Sequence, residues 1–161
     1  MEWRYTGIFD YPKLEISKIE VQHSVPEWSF EVNYRGQNNI ALSHLGNNIP
    51  QFDTAGVKDF LIRFKKVHLE SYRTFLKPAV EDSIRKSPPV VRLIVTNNKK
   101  EKEVLSLYLK RGKENTLDAN GKPTPWDPEY LWGVNEKGEV GLAQRYVFDP
   151  ITLPLQAFLR N

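Results

Sequence analysis

The chain has 161 residues, of which 40% are hydrophobic and 27% are charged, and its 23 basic and 20 acidic side chains give a net charge of +3. This composition supplies enough apolar surface for a buried core and excludes an intrinsically disordered chain. The lack of cysteine excludes disulfides and thiolate metal sites, and so small a charge excess does not indicate a nucleic-acid partner. None of the apolar runs approaches the ~20 residues that a membrane helix needs.

The first residues, MEWRYTGIFDYP, lack the basic and apolar regions of a signal peptide. We interpret this abrupt, aromatic-rich beginning as part of a longer protein. We therefore expect residues 1–161 to form a single α+β domain that is a fragment of a longer chain. Any targeting or anchoring segment would lie in a part that is absent here.

The first half of the chain predicts a sheet. Residues 13–23 have the composition of a strand, but their apolar phase changes midway, which predicts a bulge near Ser17 and Lys18. Residues 28–34 alternate between apolar and polar, which predicts a strand with one buried and one wet face. Residues 40–45 return as the hairpin partner of that strand.

A long amphipathic helix is predicted next, over residues 53–68. Asp53 has the side chain of a good N-cap, and basic residues collect at the other end, where the helix dipole favours cations. Five apolar residues between these ends fall at helical spacing on one stripe. They are Val57, Phe60, Leu61, Phe64 and Val67.

The second half predicts a short helix, two more hairpins and a loop. The short helix is ended by Pro88 and Pro89, because a residue before proline disfavours the helical backbone. The strand after it is apolar on both faces and β-branched, which is typical of a central strand. In chain order the elements are a helix over 80–86, strands over 90–96 and 102–111, a loop over Gly112–Pro128, and strands over 129–134 and 140–148.

The last segment, YVFDPITLPLQAFLRN, predicts a short, kinked C-terminal helix. Asp149 is the candidate N-cap, Pro150 suits the first helical position, and Pro154 forces a bend or a new start. Four apolar residues of this segment are predicted to be buried against the sheet. They are Ile151, Leu155, Phe158 and Leu159.

Both halves place the dipeptide Phe-Asp between a hairpin and an apolar segment, at Phe52–Asp53 and at Phe148–Asp149. The repeated dipeptide is consistent with two halves, each a hairpin followed by a helix, at about 13–75 and 88–161. We predict an α+β fold with antiparallel, hairpin-built sheets of about seven strands, one long amphipathic helix and a short C-terminal helix. The predicted core residues are Trp28, Phe30, Val32, Phe60, Leu61, Phe64, Leu93 and Val95.

No catalytic, metal or cofactor site is predicted. His23, His44 and His68 are not at the spacing of metal ligands, and pairs of carboxylates have no predicted cleft. The sequence DANG at 118–121 lacks the ligand positions of a calcium loop and predicts a turn. Glycine-rich phosphate loops and nucleophile motifs are missing from the sequence, so we expect a protein that is not an enzyme.

Trp126 and Trp132 are the candidate residues for contact with a ligand or partner. Trp126 lies in the predicted proline-rich loop, and Trp132 follows in a predicted strand. An exposed tryptophan can stack on a sugar or anchor a partner protein. The other interpretation is that these rings fold over the sheet edge as part of the core.

Three segments resemble domain-of-unknown-function family 4340: EWRYTGIFDYPKLEISKIEVQHSVPEWSFEV, FDTAGVKDFLIRFKKVHLESY and YVFDPITLPLQAFL. In that family of bacterial envelope proteins, many from Bacteroidetes, a Trp-Arg segment like Trp3–Arg4 follows a membrane-anchored N-terminal part. The resemblance covers nearly the whole chain, as the C-terminal section of a longer protein, and brings no active-site residues. It implies a periplasmic or cell-envelope location and an accessory role near ABC export or gliding-motility components.

We therefore expect a non-enzymatic interaction or scaffolding module of the cell envelope. Its partner would be an envelope protein or the N-terminal part of its own chain, docked on an uncovered apolar or edge-strand surface. We expect no nucleic-acid partner, and membrane contact only through an absent segment. The alternative is a small-ligand or saccharide-binding domain, which requires Trp126 or Trp132 to be exposed beside a concave site.

Overall fold

A computed structural model describes residues 6–36, 38–72 and 76–160 of the chain. The predicted α+β class is confirmed, because the chain forms a large antiparallel sheet, a small two-stranded sheet and short helices. The predicted Trp3–Arg4 segment lies outside the described residues. The strands are β1 (Gly7–Phe9), β2 (Ile16–His23), β3 (Phe30–Tyr34), β4 (Ile40–His44), β5 (Asn47–Ile49), β6 (Val67–His68), β7 (Ser71–Tyr72), β8 (Val91–Asn97), β9 (Lys102–Arg111), β10 (Trp126–Val134) and β11 (Val140–Gln144), and the helices are α1 (Thr54–Ile62), α2 (Pro78–Lys86) and α3 (Arg145–Phe148).

The main sheet consists of two four-stranded meanders that meet at β2 and β8, and of β7, which pairs with the outer strand of the second meander. Its strand order is β5-β4-β3-β2-β8-β9-β10-β11-β7, and β1 pairs with β6 in the second sheet. The first meander is followed by α1 and the second by α3, so the order of elements repeats on either side of the β2–β8 pair. The assignment of two halves, about 13–75 and 88–161, stays a prediction.

The core lies on one face of the main sheet and includes a chain of phenylalanine rings. Phe60 of α1 contacts Phe30 of β3 and Phe158 near the C-terminus, with ring centroids 5.6 Å apart in each pair. Phe64 continues this chain from Phe60 to Phe9, at centroid distances of 5.2 and 5.5 Å. Most of the predicted core is confirmed as buried: Phe30, Val32, Phe60, Leu61, Phe64, Leu93 and Val95.

The prediction that Trp28 belongs to this core is wrong. Trp28 is 46% exposed, because it ends a 3-10 helix that begins at Pro26. The backbone N–H of Ser29 donates to the carbonyl of Pro26 at 3.1 Å, so the strand begins only at Phe30. The alternating pattern that predicted a strand from Trp28 is therefore valid from Phe30 onward.

The predicted long helix is shorter than its apolar stripe. The N-cap is confirmed, since the side chain of Asp53 accepts a hydrogen bond from the N–H of Gly56 at 3.0 Å. The helix ends at Ile62 and a 3-10 turn follows, after which β-branched Val67 joins β6 and pairs with Phe9 of β1. All five residues of the stripe are buried, although Phe64 lies in the 3-10 turn and Val67 in β6. Their spacing therefore predicted burial correctly but not the length of the helix.

The prediction of about seven strands is too low. The main sheet has nine strands and the second sheet has two. The unpredicted strands β1, β5, β6 and β7 have only two or three residues each, which is too short to show a period of two. The predicted bulge near Ser17 is confirmed, because the register of β2 against β8 shifts between Ile16 and Lys18.

The C-terminal segment packs against the domain's own core in short turns. Asp149 is not an N-cap, because α3 begins earlier, at Arg145, and runs into a 3-10 turn at Asp149. Ile151, Leu155 and Phe158 are buried as predicted, whereas Leu159 is 40% exposed. The N–H of Asp53 donates to the carbonyl of Phe158 at 2.8 Å, which ties the segment to the start of α1.

The opposite face of the main sheet differs between the two meanders. In the first meander it is polar, and Lys18 pairs there with Glu20 at 3.0 Å and with Glu31 at 3.3 Å. In the second meander it carries a small apolar cluster beneath α2. No helix in the described part of the chain is long and apolar enough to cross a membrane.

Candidate functional site

Helix α2 forms one wall of the candidate site. The short helix predicted over 80–86 is present, beginning at Pro78 and stopping before Pro88, because proline suits a helix start and ends the helix that precedes it. The guanidinium of Arg85 donates to the carbonyl of Gly138 at 2.9 Å, which holds the helix to the β10–β11 turn. None of the residues of α2 is buried, so the helix packs only loosely against the sheet.

The space between α2 and the sheet is a groove of about 600 Å³. It lies at the end of the main sheet where β9 ends and where β8 and β10 begin. We call it the aromatic groove, because three aromatic rings lie in its walls beside two prolines and several aliphatic side chains. Its principal lining residues are Val80, Pro88, Pro89, Tyr108, Trp126 and Trp132.

Both predicted contact residues line this groove. Trp126 is not in a loop, as predicted over Gly112–Pro128, but begins β10 and pairs with Arg111 of β9. The Trp126 side chain is 37% exposed, whereas Trp132 is half-buried and pairs across the strands with Tyr108. The structure therefore brings the two rings together in one concave surface.

Two cations lie over these rings. The guanidinium carbon of Arg111 lies 5.9 Å from the centroid of Trp126, and the ammonium nitrogen of Lys110 lies 5.4 Å from that of Trp132. Cations at such distances are attracted to the electron-rich face of the ring. This attraction favours the observed placement of the two rings at the groove.

Asp127 anchors the start of β10 beside the groove. One carboxylate oxygen accepts from the N–H groups of Glu129 and Tyr130 at 2.8 and 3.1 Å, and the other accepts from the ammonium of Lys110 at 3.0 Å. Burial acts to raise the pKa of Asp127, but these hydrogen bonds outweigh it and hold the pKa below its ordinary value. The charged form of Asp127 thus holds both the strand and Lys110 in place.

The polar groups of the groove are few. The hydroxyls of Ser24, Ser83 and Ser87 and the guanidinium of Arg111 are at its lining, and no carboxylate of the described residues is among them. Such a surface suits a mostly apolar ligand that carries a hydrogen-bonding or anionic group at one end.

Three side chains whose pKa values are shifted by burial lie outside the groove. Burial and the hydrogen bond to Glu103, at 2.6 Å, raise the pKa of Tyr11, and burial raises the pKa of Asp149. Burial lowers the pKa of His23, although its ring donates to the carbonyl of Leu153 at 3.1 Å and this bond partly opposes the shift.

Two side chains that could bind a metal, those of His44 and Asp118, contact the backbone instead. The described residues contain no group of three or more histidines, aspartates or glutamates that could hold a metal ion. The ring of His44 donates to the carbonyl of Ser29 at 2.7 Å, so it serves a backbone contact. The carboxylate of Asp118 accepts from the N–H groups of Asn120 and Lys122, both at 2.9 Å, so the DANG sequence forms a turn as predicted.

Sequence reasoning missed the apolar residues that α2 and β9 bring to the groove. Val80 is 42% exposed and Leu109 is 37% exposed. The signal available was the spacing of Val80 and Ile84, which places both on one side of a helix too short to bury them.

Comparison of the chain with family models, curated proteins and solved structures returned no match. The resemblance to family 4340 therefore stays a prediction from the sequence.

Proposed function

We propose that this chain is a non-enzymatic interaction domain whose aromatic groove binds an extended apolar segment of a partner protein. The observation that supports this most is the gathering of exposed apolar side chains in one concave place. Val80, Leu109 and Trp126 are 42%, 37% and 37% exposed, and all three line the groove. Contiguous exposed apolar surface of this kind is typical of interaction sites.

The chemistry of the lining favours a peptide occupant. Grooves walled by aromatic rings bind extended, proline-rich or apolar segments by stacking, and tryptophan is prominent among the residues that supply binding energy. The hydroxyls of Ser24 and Ser83 and the guanidinium of Arg111 can donate to the carbonyl groups of such a segment. Because α2 buries none of its residues, it can adjust its position as the segment enters.

The envelope context and the non-enzymatic role are part of the same proposal. The resemblance to family 4340 supports a place in the bacterial cell envelope and an envelope protein as partner, in an accessory role to export or gliding machinery. The position of the shifted side chains supports a binding role, because Tyr11, His23 and Asp149 do not line the groove.

A saccharide ligand is the second candidate. The exposed ring of Trp126 beside the hydroxyls of Ser83 and Ser87 is the observation that favours it, because a sugar ring can stack on tryptophan while its hydroxyls form hydrogen bonds. The groove offers no planar carboxylate or amide among its described lining residues, which makes the peptide the better match.

The test is selection of ligands by the whole chain, from a phage display of short random peptides and from an array of oligosaccharides. We expect enrichment of apolar and proline-containing peptides, with affinity about tenfold or more lower in Trp126→Ala. Trp28→Ala is the matched control, because Trp28 is an exposed tryptophan outside the groove. Enrichment of saccharides that depends on Trp126 would replace the peptide by the second candidate. No enrichment in either format, or equal losses in both variants, would overturn the proposal.

A further inference from the structure

A second groove lies at the other end of β2 and β8 and is strongly basic. It has a volume of about 720 Å³ and is built where β2 and β9 begin and where β3 and β8 end. Five cationic side chains line it, and no carboxylate of the described residues does. The cations that define this basic groove are Lys13, Lys18, Arg35, Lys100 and Lys102.

Sheet register explains how some of these side chains come together. Asn33 pairs with Lys18, Lys18 with Thr96, and Thr96 with Lys102, which forms one row across β3, β2, β8 and β9. Side chains directly opposite each other in antiparallel strands lie on the same face, with Cβ atoms about 4.5–5.5 Å apart. Two ammonium groups thus flank a single threonine in the row.

Few of these charges are compensated. Lys18 pairs with Glu20 and Glu31, but Lys13, Arg35, Lys100 and Lys102 form no ion pair with an acid of the described residues. The chain as a whole has a net charge of only +3, so an overall excess of basic residues does not explain this concentration. Like charges placed together repel one another unless an anion lies between them.

Thr96 supplies an independent sign of a ligand. Its side chain lines the groove and is 7% exposed, and its hydroxyl oxygen is buried with no hydrogen-bond partner among the described residues. Buried hydroxyls are normally paired, so an unpaired one calls for an explanation. Rotation about χ1 exchanges the hydroxyl and the methyl group, which would offer the hydroxyl as a donor to an anion in the groove.

We propose that the basic groove binds a small polyanion that carries two or more phosphate groups. The guanidinium of Arg35 can donate two parallel hydrogen bonds to one phosphate, and the lysines act as point charges on the others. Asn33 and Asn98 add amide donors at the lining. The phosphates belong either to a soluble molecule or to the headgroup of a phosphoinositide lipid.

The test is calorimetric titration of the whole chain with pyrophosphate and with inositol trisphosphate. We expect saturable binding of one molecule, weakened about tenfold or more in Arg35→Glu/Lys102→Glu. The control is Lys113→Glu/Lys122→Glu, which changes the net charge equally at exposed lysines outside the groove and should leave the affinity within about twofold. Urea unfolding of each variant checks that the fold is kept.

Two further measurements complete the test. Thr96→Val leaves the charge unchanged and should weaken pyrophosphate binding several-fold, which a merely electrostatic surface would not show. Vesicles of phosphatidylcholine with and without phosphatidylinositol bisphosphate identify the source: tighter binding to the charged vesicles than to inositol trisphosphate indicates a lipid, and equal or weaker binding indicates a soluble ligand. Lack of saturable binding to both soluble probes, or equal weakening in the control pair, would overturn the proposal.

Discussion

The two ends of the central strands β2 and β8 carry opposite chemistry on one continuous sheet. At one end lies the apolar aromatic groove, which is formed by prolines, tryptophans and the exposed helix α2. At the other end, lysines, an arginine and an unpaired threonine hydroxyl form a basic groove. The buried face beneath both ends is uniformly apolar, so the difference does not come from the core.

The difference comes from what covers the outer face of the sheet. Where α2 lies over the second meander, the strands can present Tyr108, Trp132 and Val134 without exposing them fully. Over the first meander the face carries an ion pair instead, between Lys18 and Glu20, whose side chains are 33% and 15% exposed.

The largest expected effect tests whether both ends depend on the shared core. Phe60→Ala removes a ring that is 2% exposed and contacts three other phenylalanines. We expect the free energy of unfolding to fall by about 3–5 kcal/mol, because a buried cavity replaces the ring. Urea denaturation of the variant measures this change.

Tyr146→Ala is the control for that experiment, since Tyr146 is 90% exposed. It should change the free energy of unfolding by less than about 0.5 kcal/mol. A loss from Phe60→Ala below about 1.5 kcal/mol would show that the phenylalanine chain does not carry the shared core.

The next effect belongs to the aromatic end. Asp127→Asn removes the charge that binds Lys110. We expect the free energy of unfolding to fall by about 1–2 kcal/mol. Because the folded state lowers the pKa of Asp127, its contribution is complete above the ordinary pKa of 3.8 and is lost as the pH falls through the folded value. The difference between wild type and variant should therefore shrink as the pH is lowered below about 4.

Asp118→Asn makes the same change at a carboxylate whose hydrogen bonds go to backbone N–H groups that asparagine can also bind. Urea unfolding over a pH series should find little change in this variant. An equal loss in the two variants, or a loss at Asp127 that does not depend on pH, would contradict the role given to its charge.

The smallest expected effect is at the basic groove, where a substitution should raise the free energy of unfolding. Thr96→Val replaces an unpaired buried hydroxyl by a methyl group of similar size. We expect the free energy of unfolding to rise by about 1 kcal/mol in phosphate-free buffer, because the desolvation cost of the hydroxyl disappears. Thr152→Val is the matched control and should lose stability, because the hydroxyl of Thr152 donates to the carbonyl of Phe148 at 2.8 Å. A loss of stability at Thr96 would mean that its hydroxyl has a partner.

Local pattern predicted the long elements and failed on the short ones. The strands of five or more residues were all found, and so was the bulge near Ser17, because alternation over that length is a direct record of burial. Strands of two or three residues, such as β6, carry too little pattern to be recognised. Trp28 was misplaced because an apolar residue at the start of an alternating run has the same pattern whether it begins the strand or ends a turn before it.

The candidate site was predictable only in part. Trp126 was found because it lies in a proline-rich stretch, and Trp132 because it follows shortly after that stretch in a predicted strand. Their partner Tyr108 and the wall formed by α2 come from distant parts of the chain, and no local pattern joins them. The basic groove was not predicted, since its side chains come from separate strands and only the register of β2 and β8 sets Lys18 beside Thr96.

The sequence by itself determined most of the predicted core, although not Trp28 or Leu159, as well as the class of fold and the two tryptophans that are candidates for contact. It could do so because burial and turn chemistry leave a periodic mark within a few neighbouring residues. The tertiary structure alone decided the position of α2, the pairing of β2 with β8 and, through them, the two grooves. Those features depend on contacts between residues far apart in the chain, and the pattern within one segment does not show which distant segment it will contact.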